Sequence, residues 1–241
     1  MYGKYWDKGL QLIDGCTPCS PGCEHCWSAV MEQRFRGDVL TAEDGLELVY
    51  GGKFTGAIIT HPERLSIPLK RRKPTVYAIW NDLFHEAAPD NFIDNAFSVM
   101  EKAQQHTFLV LTKRPGRMST AWPVHENIYH GLTVCNQQEA DEKIPVFLQV
   151  PGKKFLSIEP AIAPVTLWEH HLGVRLVECF DVIIMGAETG SGARPMDLEW
   201  ALTIRDECEV TGIPFFLKQV DKNRNRLLDG REHNDLPWRT P

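Results

Sequence analysis

The sequence predicts an α/β fold in which a parallel sheet closes into a complete or partial TIM-like (β/α) barrel. Short apolar runs rich in Ile, Val and Phe alternate with helix-like segments, and most of these runs lead into a polar residue. Such runs are typical of strands buried on both faces, and their alternation with helices favours parallel strands joined by right-handed crossovers. The 241 residues suffice for one barrel, and neither a repeat nor a linker divides them. We therefore expect a single domain over residues 1–241, with a cysteine loop at 15–27 and a short C-terminal tail at 220–241.

The strands of the predicted sheet can be assigned in chain order. They are LQLIDG (10–15), AIITH (57–61), VYAIWND (76–82), FLVLTK (108–113), IYHGLTV (128–134), FLSIEP (155–160), DVIIMGAE (181–188) and PFFLKQ (214–219).

Two segments between these strands carry clear helix signals. Asp90 is a candidate N-cap for a helix over 91–105, in which apolar residues recur at three- and four-residue spacing. Asp197 is the candidate N-cap of a helix over 198–211, and Gly212 and Pro214 supply its stop. We expect this second helix to face inward through Leu198, Ala201, Leu202 and Ile204.

A third segment, after Val134, contains Pro145, which removes a backbone donor and is expected to break the segment into two shorter pieces.

The overall composition narrows the class of protein. Hydrophobic residues make up 43% of the chain and charged residues 24%, and no apolar run approaches the roughly 20 residues of a membrane span. No secretory signal pattern opens the chain, and the odd number of cysteines, seven, argues against a complete disulfide framework. We expect a protein without membrane attachment in a reducing cytoplasm. The net charge of −6 excludes non-specific coating of DNA.

The polar residues that follow the predicted strands are candidate site residues. In parallel barrels chemistry lies at the carboxyl ends of the strands, so these side chains are expected to converge on one mouth, although each could instead cap a helix or anchor a loop. They are His61, Asn81, Asp82, Lys113, Thr133, Glu159, Glu188 and Lys218. The two lysines are expected either to receive an anionic ligand or to neutralise Glu159 and Glu188, and pairing is favoured because buried charges need partners.

Four cysteines, Cys16, Cys19, Cys23 and Cys26, lie within eleven residues directly after the first predicted strand. Thiolates at short spacings can wrap an iron–sulfur cluster, and the prolines and glycine of this stretch favour a tight loop. A tetrahedral zinc site is the alternative, although zinc folds usually bring a second cysteine pair from a separate hairpin and none is present here. The sequence therefore predicts a metal site at the barrel mouth, with iron–sulfur favoured over zinc.

The spacing from Cys19 to Cys26, C-x3-C-x2-C, in a parallel barrel resembles the radical S-adenosylmethionine (radical SAM) superfamily. The resemblance implies a [4Fe-4S] cluster held by three thiolates, with the open iron binding S-adenosylmethionine. It also implies cleavage of that cofactor to a 5′-deoxyadenosyl radical, with a reductant such as flavodoxin or ferredoxin supplying the electron.

A narrower resemblance spans nearly the whole chain. The segments CTPCSPGCEHCW, WNDLFHEAAP, LVLTKRPGRM, FLSIEPAIAPV and GAETGSGARPM are similar to a phage-associated three-cysteine family of radical-SAM-like proteins without an assigned substrate. That family's cysteines match Cys16, Cys23 and Cys26, whereas the superfamily spacing selects Cys19 as the first ligand. If both bound, no iron would be open, and the protein would be a non-catalytic iron–sulfur or zinc protein.

The resemblance also implies roles for residues around the loop. His25 would stack against the adenine, while Asn81, Asp82 and His61 would hold the methionine amino group. Thr133 would line the rest of the cofactor site. Gly186 and Glu188 belong to a glycine-rich run after a strand, which could cradle the adenosine or could serve only as a tight turn before the Asp197 helix. Lys113, Glu159, Glu188 and Lys218 would serve the reaction. The phage association implies a nucleoside or nucleic-acid base as substrate, modified or isomerised in DNA hypermodification in the host cytoplasm.

Overall fold

Seven parallel strands form one sheet, and their order in the sheet follows their order in the chain. The computed structural model describes residues 4–35, 41–42 and 45–239. The strands are β1 (Lys8–Gln11), β2 (Val76–Trp80), β3 (Thr107–Thr112), β4 (Ile128–Val134), β5 (Lys153–Ile158), β6 (Val182–Met185) and β7 (Phe215–Leu217). The sheet curls into a half-barrel, so the predicted α/β fold is confirmed in its partial form.

The strand predicted over 57–61 lies outside this sheet. Ile58–Thr60 pairs antiparallel with Ile13–Gly15, and the two form a separate ribbon. The run LQLIDG is therefore split, because β1 ends at Gln11 and the chain then leaves the sheet to form the ribbon. Ile58–Thr60 is only half-buried, which fits a ribbon covered on one side rather than a barrel strand.

Two further ribbons are short. Val49–Tyr50 pairs with Lys53–Phe54, and His170–His171 pairs with Val174–Arg175.

Five α-helices accompany the strands over the part of the chain described. They are α1 (Trp27–Phe35), α2 (Ile67–Lys70), α3 (Asp90–Lys102), α4 (Gln137–Phe147) and α5 (Leu198–Thr211). The prediction for α5 is confirmed: the Asp197 carboxylate accepts from the Glu199 amide at 3.0 Å, and Gly212 ends the helix in the left-handed conformation. The prediction that Leu198 faces inward is wrong, since its side chain is 48% exposed in the first turn.

Two other helix predictions need correction. Asp90 is the first residue of α3 rather than its cap, because Pro89 holds the extended N-cap position and the Asp90 carboxylate pairs with Arg117. Pro145 does not divide its segment, and α4 runs through it to Phe147. The proline lies in the last turn, where the helix ends two residues later and little hydrogen bonding remains to be lost.

The sheet separates two apolar clusters. The helices cover the outer face, where Tyr77, Phe108 and Leu156 are buried. The inner face of the half-barrel packs Leu109, Tyr129, Phe155 and Phe216 against residues from the two ends of the chain. Tyr5 and Trp6 come from the beginning of the described chain, and Leu236 and Trp238 come from its last described segment. The segment predicted as a tail therefore contributes to the core, through Leu228 as well as Leu236.

Across the described ranges, none of the helices has the length and apolar character needed to cross a bilayer.

Candidate functional site

A cavity of about 250 Å³ opens at the carboxyl end of the strands, between the half-barrel and the cysteine loop. Its lower wall is apolar and is formed by Leu109, Leu111 and Phe155 from the sheet with Tyr5 and Trp6 from the N-terminal segment. Twelve of the fourteen residues singled out from the sequence line it: Cys16, Cys19, Cys23, His25, Cys26, Asn81, Asp82, Lys113, Thr133, Glu159, Glu188 and Lys218. The structure thus brings the strand ends and the cysteines together.

His61 and Gly186 do not line the cavity. The His61 ring lies in the ribbon, where Nε2 is 2.9 Å from Asp14 and Nδ1 is 3.0 Å from Glu63. A side chain at Gly186 would approach Gln219 and Lys218, so this glycine allows the chain after β6 to pack closely on the segment after β7.

The Cys19 and Cys23 thiols are neighbours in the loop and interact with each other. The interaction with Cys19 lowers the pKa of Cys23 to about 5, against the opposing effect of burial and with help from the nearby Lys113 ammonium. The same interaction raises the pKa of Cys19. These directions favour the thiolate at Cys23, and a thiolate is the form of cysteine that binds metals.

Cys16 is held apart from this pair. Its Sγ lies 3.8 Å from the Arg114 guanidinium and donates to the Thr17 carbonyl at 3.6 Å. Burial raises the pKa of Cys16 to about 12, with a further contribution from the charge of Asp82. The two candidates for the first ligand thus differ: Cys19 is exposed and interacts with Cys23, whereas Cys16 is half-buried beneath an arginine.

Arg114 and Asp82 form a clamp on the start of the cysteine loop. The guanidinium donates to the Thr17 carbonyl at 2.7 Å and to the Asp82 carboxylate at 2.9 Å. Asp82 is buried and also accepts from the Thr112 hydroxyl at 2.7 Å and from the amides of Phe84 and Lys113. The Asp82 carboxylate therefore fixes an arginine, and its hydrogen bonds are made within the protein.

A second clamp holds the middle of the loop. Arg194 donates to the Pro21 carbonyl at 3.1 Å and to both oxygens of Glu188, and Glu188 is 4% exposed. The His25 ring completes the group, with Nδ1 3.0 Å from Glu188. Burial opposes ionisation, yet these hydrogen bonds hold the pKa of Glu188 below its usual range.

Sequence reasoning missed Arg194. The available signal was the Arg-Pro pair in GARP, which matches the Arg-Pro pair in TKRP that contains Arg114.

Asn81 and the two lysines occupy distinct positions around the mouth. Asn81 has a left-handed backbone with φ of 57°, accepts from Ser28 at 2.6 Å and donates to the Ile13 carbonyl at 2.9 Å. The predicted pairing of lysines with glutamates is realised once, between Lys218 and Glu159. The Lys113 ammonium has no carboxylate within ion-pair distance among the residues described, and it faces the cavity beside Cys23.

The donor chemistry fits an iron–sulfur cluster better than it fits a harder cation, since four thiols line one cavity. Over residues 4–35, 41–42 and 45–239, no three Cys, His, Asp or Glu side chains are arranged around a common metal position. Binding a cluster would therefore require the cysteine side chains of the loop to rearrange. The ligand set stays a prediction.

Comparisons with known proteins give one match. The model of a family described as "Protein of unknown function (DUF5131)" matches residues 4–237. Neither the curated proteins nor the solved structures gave a match.

Proposed function

The chain belongs to the DUF5131 family, and from the chemistry of its cavity we propose that it is a radical SAM enzyme. Cys23, Cys26 and either Cys16 or Cys19 would hold a [4Fe-4S] cluster. The proposal rests on one observation: four thiols from an eleven-residue loop line a cavity at the carboxyl ends of parallel strands. That edge is where chemistry occurs in barrels of this type.

The bound cluster and S-adenosylmethionine would supply a 5′-deoxyadenosyl radical that abstracts hydrogen from a substrate, with the electron coming from a flavodoxin or ferredoxin. The protein's own part is to hold the loop, exclude water and orient the ligands. Arg114 and Arg194 fix the loop through backbone carbonyls, and each is fixed by a buried carboxylate. Tyr5, Trp6 and Phe155 form an apolar wall that would shield a radical from solvent.

Four side chains are assigned catalytic roles in this proposal: Lys113, Glu159, Glu188 and Lys218. Lys218 and Glu159 form an ion pair at the cavity wall, where they are suited to hydrogen-bond and orient the polar groups of a substrate. His25, Asn81, Asp82 and Thr133 line the cavity and are proposed to contact or shape the cofactor site. His61 and Gly186 would act only indirectly, since they lie away from the cavity.

We further propose a nucleoside or a nucleic-acid base as the substrate, as in phage DNA hypermodification. The net charge of −6 is better suited to one nucleotide or a flipped base than to broad contact with duplex DNA.

Anaerobic reconstitution with iron and sulfide, followed by reduction with S-adenosylmethionine, tests the enzymatic proposal. Release of 5′-deoxyadenosine, measured by liquid chromatography, is the expected result. An intact cluster that releases none would exclude the radical mechanism.

Single Cys→Ser variants identify the ligands. Iron content should fall sharply for Cys23→Ser and Cys26→Ser, whereas Cys179→Ser, away from the cavity, should retain it. Loss for only one of Cys16→Ser and Cys19→Ser names the third ligand. Loss for both would favour a four-thiolate, non-catalytic protein. Zinc in place of iron, seen by metal analysis and the visible spectrum, would favour a structural site.

A further inference from the structure

A polar row crosses three neighbouring strands inside the cavity, below the cysteine loop. Thr133 of β4 and Ser157 of β5 are direct partners in the sheet register. Lys113 follows Thr112, whose partner on β4 is Leu132, so Lys113 lies at the same level as Thr133. We call Lys113, Thr133 and Ser157 the polar row.

The polar groups of this row are largely unused within the protein. Ser157 is 1% exposed, and its Oγ has no hydrogen-bond partner over the part of the chain described. Its neighbours Leu156 and Ile158 point into the outer core, whereas Ser157 lines the cavity. A buried hydroxyl without a partner is unfavourable, and a ligand that supplied the missing hydrogen bond would remove this cost.

The level below the polar row is apolar and has an aromatic surface. It contains Leu111, Gly131 and Phe155, which are aligned across β3, β4 and β5. A Cβ at Gly131 would lie 2.2 Å from the Phe155 ring, so the absence of a side chain there lets that ring lie over β4. Phe155 is fully buried, so this level is an apolar floor, which suits a flat ring that has no polar group on its face.

The charge of the polar row restricts the class of ligand further. The Lys113 ammonium is half-buried and has no carboxylate partner among the described residues, while Glu159 one level higher is neutralised by Lys218. An ammonium that lacks a carboxylate partner in a largely apolar cavity favours an anionic ligand.

We propose that the polar row binds a planar aromatic compound that carries both a hydrogen-bonding edge and an anionic group. The ring lies over this apolar floor, its polar edge meets Ser157 and Thr133, and its anionic group pairs with Lys113. This inference rests on the proposed function, because it assigns the substrate of the same cavity. A nucleoside monophosphate and a ring carboxylate both satisfy this chemistry.

Equilibrium dialysis tests the proposal on the protein both as purified and after anaerobic reconstitution. The probes are the four ribonucleoside 5′-monophosphates with the matching nucleosides, and orotate with uracil. We expect at least one anionic probe to bind about tenfold more tightly than its neutral partner, the difference expected for one charge-assisted hydrogen bond. A phosphate preference and a carboxylate preference identify the anionic group. No binding by any anionic probe in either form overturns the proposal.

Variants assign the binding to the row. Lys113→Met should abolish the preference for the anionic probe, Lys113→Arg should retain it, and Lys53→Met on the exposed ribbon should change nothing. Ser157→Ala should weaken the binding of anionic and neutral probes alike, by about fivefold. Ser157→Thr should restore part of the lost affinity. Unchanged affinities in Lys113→Met and Ser157→Ala would overturn the assignment.

The competing outcome concerns the cofactor. If Lys113→Met and Ser157→Ala no longer bind S-adenosylmethionine but still bind every probe, the polar row is part of the cofactor site. The assignment of the row to the substrate is then wrong. Release of 5′-deoxyadenosine is measured separately, so failure of the radical mechanism and failure of this inference are distinguishable.

Discussion

At the scale of single residues, His130 is buried inside an aromatic stack. Its ring is 5% exposed and lies 5.8 Å from the Phe97 ring and 6.3 Å from the Trp122 ring, measured between centroids. Its Nδ1 has no hydrogen-bond partner over the described ranges. Burial, together with the charges of Lys154 and His125, lowers the pKa of His130 to about 4 from 6.5. The folded protein therefore keeps this ring neutral where the unfolded chain protonates it.

This depressed pKa predicts how stability depends on pH. Between pH 6.5 and about pH 4 the unfolded state binds more protons at His130, so the free energy of unfolding falls as the pH falls through that window. The full effect is roughly 3 kcal/mol. His130→Phe should remove this effect. The free energy of unfolding, measured with urea, should then change between pH 6.5 and pH 4.5 by about 2 kcal/mol less in the variant than in the wild type. His170→Phe, at an exposed histidine, is the matched control. Equal pH slopes for His130→Phe and wild type would contradict the interpretation.

Arg114 and Arg194 illustrate which site residues the sequence could provide. The cysteines and strand-end residues were recognisable, because spacing and strand termination are local properties of the chain. The role of Arg194 depends on Glu188, six residues away, and on Pro21, which is 173 residues distant. Such a contact exists only after the sheet has brought the loop and the end of β6 together.

At the scale of elements, the cysteine loop depends on the Arg114 clamp for its position. A lysine at position 114 keeps the charge but cannot donate at once to Thr17, Asp82 and Glu86, as the guanidinium does. In reconstituted protein, Arg114→Lys should release iron to a chelator roughly tenfold faster, the usual cost of losing a residue that supports metal ligands.

Arg117→Lys is the control for this prediction. Arg117 lies in the same segment but contacts His85, Ala88 and Asp90 instead of the loop. Equal rates of iron release for the two variants would mean that the clamp does not hold the ligands.

The helices show where local sequence signals suffice. Both ends of α5 were predictable, because capping by Asp197 and the left-handed turn at Gly212 involve only neighbouring residues. The start of α3 was misassigned by one residue, since Arg117 engages the Asp90 carboxylate from another segment. The Ile58–Thr60 strand was assigned to the wrong sheet, because an apolar run indicates a strand but not which other strand it pairs with.

At the scale of the whole molecule, the two ends of the chain fill the inside of the half-barrel. A sheet of seven strands that does not close leaves its inner face open, and that apolar face must be covered by other residues. The Trp238 ring packs 4.8 Å from Tyr129 and 5.9 Å from Phe155, and its Nε1 donates to the Tyr5 carbonyl at 2.8 Å. The sheet order follows from the alternating pattern, but this covering could not be predicted, since it joins residues more than 200 positions apart.

Trp238→Ala should therefore destabilise the whole fold. Truncation removes a large ring from the inner cluster and breaks its hydrogen bond to Tyr5, so we expect the free energy of unfolding to fall by about 3 kcal/mol. Trp168→Ala is the matched control, because Trp168 is 40% exposed and packs mainly on Arg175, and it should cost less than about 1 kcal/mol. Urea unfolding followed by far-UV circular dichroism measures both. Similar losses of stability in the two variants would mean that the chain ends do not hold the half-barrel together.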